Sequence, residues 1–262
     1  MIGEGVACGT PKASNGHVKP LLCPESGRDV PPRKDAAPQD VLLLFSGGRD
    51  SSLAACILAE AGHRVHPFTT DNGTYIGSEL SEHRFQELRR AFPDSFAPRA
   101  IRCTRGLFRR IALATIEDDF AEFHNNLIVV GDQLATLTEA IVYCLKNRLA
   151  IIASGYTAYQ ADSYPEQMPE AVPLFAALAE EHGVQYTTPV YNFTSSDQVK
   201  YELYERGLTT KSLEGTSLFA DTFSTPTASA VVDYIKKKAP ICNAFIRSRS
   251  LIAVTSSAIV TP

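Results

Sequence analysis

No run of this chain reaches the roughly 18 uninterrupted apolar residues of a membrane-spanning helix. The first 40 residues lack the charged start and apolar run of a secretory signal. The sequence therefore reads as cytoplasmic, with no membrane partner. Its six cysteines, Cys8, Cys23, Cys56, Cys103, Cys144 and Cys242, form no CxxC pair. That spacing supports neither a disulfide framework nor a zinc site of neighbouring thiolates. Basic residues are not in excess: 25 Lys and Arg stand against 29 Asp and Glu, for a net charge of −4. Broad capture of nucleic acid leaves a basic footprint, and none is evident, although a local patch is compatible with these numbers. His63, His66, His83 and His124 have no metal-ligand spacing, no Ser–His–Asp arrangement follows from spacing, and no internal repeat is visible.

What is present suffices for a full core: 44% of the 262 residues are apolar. Residues 1–39 are rich in Gly, Pro, Ser, Lys and Asp without periodicity, and read as a flexible leader. After them, short apolar runs alternate with helical patterns. Strands are expected at 41–45, 64–70, 98–103, 149–154 and near 185–191, with 127–130 readable as a strand or a helix entry. Helices are expected at 51–62, 79–92, 106–120, 133–147, 169–182, 195–206 and 227–237. This order predicts an α/β fold: a doubly wound parallel sheet with helices on both faces and a small C-terminal helical extension. The division is a leader at 1–39, a main domain at 40–210 and the extension at 211–262. Ligands of such sheets bind beyond the carboxyl ends of the strands, after Phe45, Thr70, Cys103 and Ser154.

The segment Phe45-Ser46-Gly47-Gly48-Arg49-Asp50-Ser51-Ser52 follows a buried strand and opens a helix. Two glycines let the backbone turn tightly and aim N–H groups at an anion. The helix start adds unpaired N–H groups and a positive dipole end, and the three serines add hydroxyls. A plain turn with a helix cap would use the same residue types. The segment lacks the Lys of a Walker A motif.

Ser46–Ser51 instead resembles the SGGxDS signature of the PP-loop ATP pyrophosphatases, which cut ATP between the α and β phosphates and adenylylate a substrate. The resemblance implies that ATP phosphates lie on Ser46, Gly47, Gly48, Arg49, Asp50, Ser51 and Ser52, with Asp50 organising Mg²⁺. It also implies that the second strand end, Thr70 and Asp71, lies against the adenine and ribose. Further on, Gly155, Ala158, Tyr164, Pro165, Pro169 and Glu170 match the frame of one branch, the 7-cyano-7-deazaguanine synthases. These turn a deazaguanine carboxylate into a nitrile with ATP and ammonia. Gly155 is thereby expected at the nucleotide, and Tyr164 and Glu170 at the substrate. The likeness covers roughly residues 41–215.

Two departures are visible. The branch has four zinc cysteines near its C-terminus, where this chain has Cys242 alone. Glu166-Gln167-Met168 replaces its usual Asp-Cys-Arg. Some PP-loop enzymes insert sulfur instead of nitrogen, and Cys103, between Arg102 and Arg105, is the candidate thiol, since guanidinium groups favour a thiolate. An ordinary strand-end cysteine is the alternative. The expectation is thus an adenylylating enzyme with a small purine-like or deazaguanine-like substrate and ammonia as nucleophile. A sulfur donor and thiolation of a nucleobase, or a non-catalytic nucleotide sensor, stand as alternatives, and a homodimer is left open.

Overall fold

A computed structural model describes residues 37–77, 79–219 and 225–257, with side chains through Ser250. The expected leader lies outside the described residues up to position 36. Five strands form one parallel sheet in the order β4-β2-β1-β5-β6. They are β1 (Asp40–Leu44), β2 (Arg64–Asp71), β4 (Ala100–Cys103), β5 (Ile151–Ala153) and β6 (Gln185–Thr187). A two-residue strand, β3 (Tyr75–Ile76), pairs antiparallel with β7 (Thr216–Ser217) outside this sheet. Nothing in the sequence pattern marks that pair.

Burial explains why β1 reads as a continuous apolar run. Leu42 faces one layer, with Phe68 and Ile152, while Val41, Leu43 and Phe45 face the other. Both sides of the strand are dry, so alternation disappears from the sequence. One layer holds α1 (Arg49–Glu60), α2 (Leu80–Ala91) and α7 (Ser196–Glu205). The other holds α5 (Ile128–Asn147), α6 (Val172–Glu180) and α8 (Ala228–Ser257). α5 is apolar and long enough to cross a bilayer by composition, but its small and aliphatic residues pack into this core.

Three expectations change. The helix predicted over 106–120 is broken: α3 (Arg105–Phe108) opens into a wider turn at Arg109–Leu113, and α4 (Ile116–Phe123) restarts after Thr115. Thr115 leaves the helix to bond Asp119 at 2.8 Å and receive Lys238 at 2.6 Å. Residues 127–130 are a helix entry, so α5 begins five residues earlier than expected. The last helix runs through Pro240 to Ser257 instead of stopping near 237. Its buried face, Val231, Tyr234, Ile235, Cys242 and Ile246, sustains it across the missing hydrogen bond. The run Lys236–Lys238 lies inside this helix. Lys238 is buried and bonds Asp119 at 2.5 Å, while Lys237 reaches Asp119 at 2.9 Å and Glu122 at 2.5 Å.

Candidate active-site cleft

The chain runs β1 to β2 to β4 toward one edge, then returns to place β5 on the other side of β1. The crevice beyond the carboxyl ends of β1 and β5 is the switch point where such sheets hold ligands. A cleft of about 400 Å³ lies there.

Its first wall is the loop after β1. Gly47 turns it at φ +85°, and an added Cβ would meet the Leu213 carbonyl at 2.6 Å and Ser81 at 2.7 Å. Gly48 is the N-cap of α1 and offers no side chain, so the first N–H groups of the helix go uncapped. Ser46 Oγ and Ser51 Oγ stand 3.2 Å apart, and Gly48 N–H donates to Ser46 Oγ at 3.1 Å. Uncapped N–H groups, two hydroxyls and Arg49 at a helix start constitute an anion cradle. The loop packs so closely on Gly155 that a Cβ there would lie 2.5 Å from Ser51 N and Cα.

Asp50 opens the first turn of α1. Its carboxylate accepts the Tyr159 hydroxyl and the Gln160 amide, each at 2.8 Å. Burial raises its pKa against those two bonds and the nearby Arg49, while Glu214 adds a smaller upward push. Glu214 comes from the segment before β7. Ser46 donates to it at 3.1 Å and Ser212 at 2.8 Å, and its carboxylate stands against Gly48. The segment is pinned by Leu213 N–H to the Gly47 carbonyl at 3.2 Å, and by buried Arg84, which donates to the carbonyls of Thr209 (2.9 Å) and Lys211 (2.5 Å).

The far wall is polar, with Glu166 and Gln167 buried and Asp132 and Gln133 half-buried. Asp132 and Gln133 come from the first turns of α5, and Glu166 and Gln167 from the single turn Pro165–Gln167. Tyr75 donates to Asp132 at 2.9 Å. Burial raises the Asp132 pKa, and burial with Asp132 nearby pushes Glu166 up to about 7. Phe68, Thr69 and Thr70 form the floor at the end of β2, where Thr69 ties to the Phe45 carbonyl at 2.7 Å and Thr70 to Thr136 at 2.8 Å.

Of the residues read from the sequence, Ser46, Gly48, Arg49, Asp50, Ser51, Thr70, Gly155 and Tyr164 line this cleft. Gly47 shapes the loop from behind. Ser52 is buried in α1 and donates to the Gly48 carbonyl at 2.5 Å. Asp71 turns away, accepting Arg105 at 2.7 Å and Gly73 N–H at 2.7 Å. Glu170 is exposed outside the cleft. Cys103 is exposed on the edge strand, also outside the lining, and its neighbours are engaged, with Arg102 over the Tyr143 ring at 5.1 Å and Arg105 on Asp71. Cys56 and Cys144 are core residues whose thiols burial pushes up to about 12, and Cys242 is buried with its thiol also raised. Sequence reasoning missed Tyr75, Asp132, Gln133, Glu166, Gln167 and Glu214. A polar pair opening the apolar helix α5 was the signal for Asp132 and Gln133, and the departure from the deazaguanine branch at Glu166-Gln167-Met168 was the signal for Glu166 and Gln167; Tyr75 and Glu214 had none.

No protein-family model matches the chain. It is 26% identical to an uncharacterized protein of Methanocaldococcus jannaschii over 154 residues, 59% of this chain and 67% of that one. It is 27% identical to the 7-cyano-7-deazaguanine synthase of Methanothrix thermoacetophila over 166 residues, 56% of this chain and 69% of that enzyme. Among solved structures, a 4-thiouridine synthetase in complex with RNA and ATP superposes with a TM-score of 0.51 at 14% identity. That match covers 81% of this chain and 53% of the synthetase, so this chain spans about half of its length. At such identity the match speaks to the fold. The chain shares the α/β fold of that synthetase, with the Gly- and Ser-rich loop after β1 at the switch point of the sheet.

Proposed function

We propose that the chain is an ATP-dependent enzyme that adenylylates a carboxylate or amide-like oxygen of a small heterocyclic substrate. The observation that carries this reading is the Ser46–Ser51 loop, with an uncapped helix start, opening onto a cleft shared with buried polar side chains. The loop would hold the β and γ phosphates, and Phe68–Thr70 would face the adenine. The substrate oxygen attacks the α-phosphorus, the bond to pyrophosphate breaks, and AMP becomes the leaving group for ammonia. Positioning and electrostatic stabilisation by the loop N–H groups supply the catalysis. Asp50 fits a divalent cation, since both its oxygens accept from neutral donors. Bound there, Mg²⁺ would offset charge on the leaving pyrophosphate. The likeness to a 7-cyano-7-deazaguanine synthase supports nitrogen transfer to a deazaguanine-like acceptor; a cytoplasmic location and a place in tRNA-modification chemistry are part of the same proposal.

Thiolation of a nucleobase is the second reading, favoured by the fold likeness to a 4-thiouridine synthetase. Among the described residues the cleft lining holds no cysteine, so on this reading sulfur would come from an external donor. A net charge of −4 does not exclude an RNA substrate, because local potential and not the sum governs docking.

Pyrophosphate release from ATP and Mg²⁺ tests the reading, across deazaguanine carboxylates and guanine-like bases with ammonia or sulfide. Release that depends on one acceptor and one nucleophile supports the enzyme and names its pathway. ATP binding without release for any acceptor favours a nucleotide sensor.

A further inference from the structure

The ribbon of β3 and β7 lines the cleft with Tyr75, Thr216 and Ser217. Its strands are joined to each other: Leu218 N–H donates to the Thr74 carbonyl at 3.1 Å, and the Thr74 and Ser217 hydroxyls lie 3.3 Å apart. Two glycines in the left-handed region bracket β3, Gly73 at φ +86° and Gly77 at φ +74°, and Gly215 precedes β7. Ile76 and Leu218 on the ribbon are exposed, so no core packs over them. The chain before β7 is anchored, by contrast, through Arg84 on the carbonyls of Thr209 and Lys211 and through Leu213 N–H on Gly47. Two side-chain bonds tie the ribbon and this segment to the cleft. Ser46 donates to Glu214 at 3.1 Å and Tyr75 donates to Asp132 at 2.9 Å, and both bonds are open to solvent. The Glu214 carboxylate shares the lining with Asp50, Asp132 and Glu166, where Arg49 is the one cation among the described residues. Its charge is therefore repelled by the cleft that it closes.

We infer that the β3–β7 ribbon is a flap hinged at its glycines and that Glu214 is its latch, an internal carboxylate that must withdraw before a nucleotide phosphate can enter; this rests on the reading of the loop after β1 as the phosphate site. Glu214 sits on the Ser46 hydroxyl and against Gly48, at the start of α1. A phosphate needs the same hydroxyl and the same helix start, so latch and phosphate exclude each other. Hinges of this kind absorb backbone rotation at a few positions, and glycine does so without a steric cost. Two exposed bonds and mutual repulsion of acids leave the closed state only slightly favoured. A nucleotide then draws the flap open by binding the open form alone, and its apparent affinity is reduced by the fraction of chains that are closed.

The test is stopped-flow mixing of the full chain with Mg²⁺ and a fluorescent, non-hydrolysable ATP analogue. The observed rate is expected to rise with analogue concentration and level off at the rate of flap opening. Glu214→Ala is expected to raise that plateau and to tighten binding, each about fivefold, the scale of one exposed hydrogen bond. A rate that never levels off, or a plateau unchanged by Glu214→Ala, overturns the inference. Weaker binding in Glu214→Ala overturns it in favour of a residue that holds the nucleotide's cation. If Glu214→Ala does not fold, Tyr75→Phe cuts the other tie and is read in the same way. A second measurement needs no nucleotide: iodoacetamide alkylation of the thiol introduced by Ser217→Cys, followed on its own peptide by mass spectrometry. Alkylation about fivefold faster when Glu214→Ala is added supports the flap, and equal rates overturn it. Failure of the analogue to bind any of these chains counts against the enzyme reading, and the alkylation then decides the flap separately.

Discussion

Asp50 accepts from two neutral donors and forms no ion pair among the described residues, so its charge faces the cleft. Asp50→Asn keeps the shape and removes that charge. Pyrophosphate release is expected to fall about 10²–10³-fold, the scale of losing one electrostatic contact in a transition state, and stopped-flow or coupled assays would check it. Glu166 makes a prediction with a definite sign. Its pKa stands near 7 in the folded chain, against 4.5 when free, so the folded state binds the proton more tightly. Stability is then lost as pH rises from about 4.5 to 7, and the deficit is complete above 7. Glu166→Gln is expected to stabilise the unliganded protein on the order of 3 kcal/mol above pH 7 and by much less below pH 4.5. Urea melts at several pH values read this directly; a gain independent of pH would contradict it.

At the scale of elements, the approach of the β5 end to the start of α1 closes the cleft. Gly155→Ala places a methyl 2.5 Å from the Ser51 backbone, and neither element can yield without disturbing the loop. A loss of about 1–3 kcal/mol of stability and weaker ATP binding are expected from this overpacking, measurable by denaturation and nucleotide titration. The segment that ends in β7 acts in the opposite sense. It brings the Glu214 carboxylate to Ser46 and Gly48, the place an ATP phosphate would take. Glu214→Gln removes a like charge near the surface, worth about 1 kcal/mol. Nucleotide titration should find ATP binding roughly fivefold tighter.

At the scale of the whole molecule, both helical layers meet the strands that carry the loop. A ligand bound to the folded chain alone stabilises all of it. At ATP concentrations 100 times Kd the gain is about 2.7 kcal/mol. A thermal melt should therefore rise by about 5–10 °C with ATP, and the Asp50→Asn chain should show how much of that rise depends on Mg²⁺.

The local chain determined the strands of the parallel sheet, the glycines and the loop after β1. A buried parallel strand must be apolar on both faces, and a loop that turns at φ +85° beside another backbone must be glycine. Those constraints act within a few residues and are legible as written. The continuation of the last helix through Pro240 was misread because its stabilising partner, the α5 face, is distant in sequence, as Asp119 is from the buried Lys238. Asp132 and Glu214 were missed for the same reason, and Glu166 was met only as a departure from the deazaguanine branch. A lone acid looks solvated until the fold removes its water and sets another acid or a phosphate cradle beside it. Burial and long-range proximity are properties of the packed sheet, and only the tertiary structure decided them.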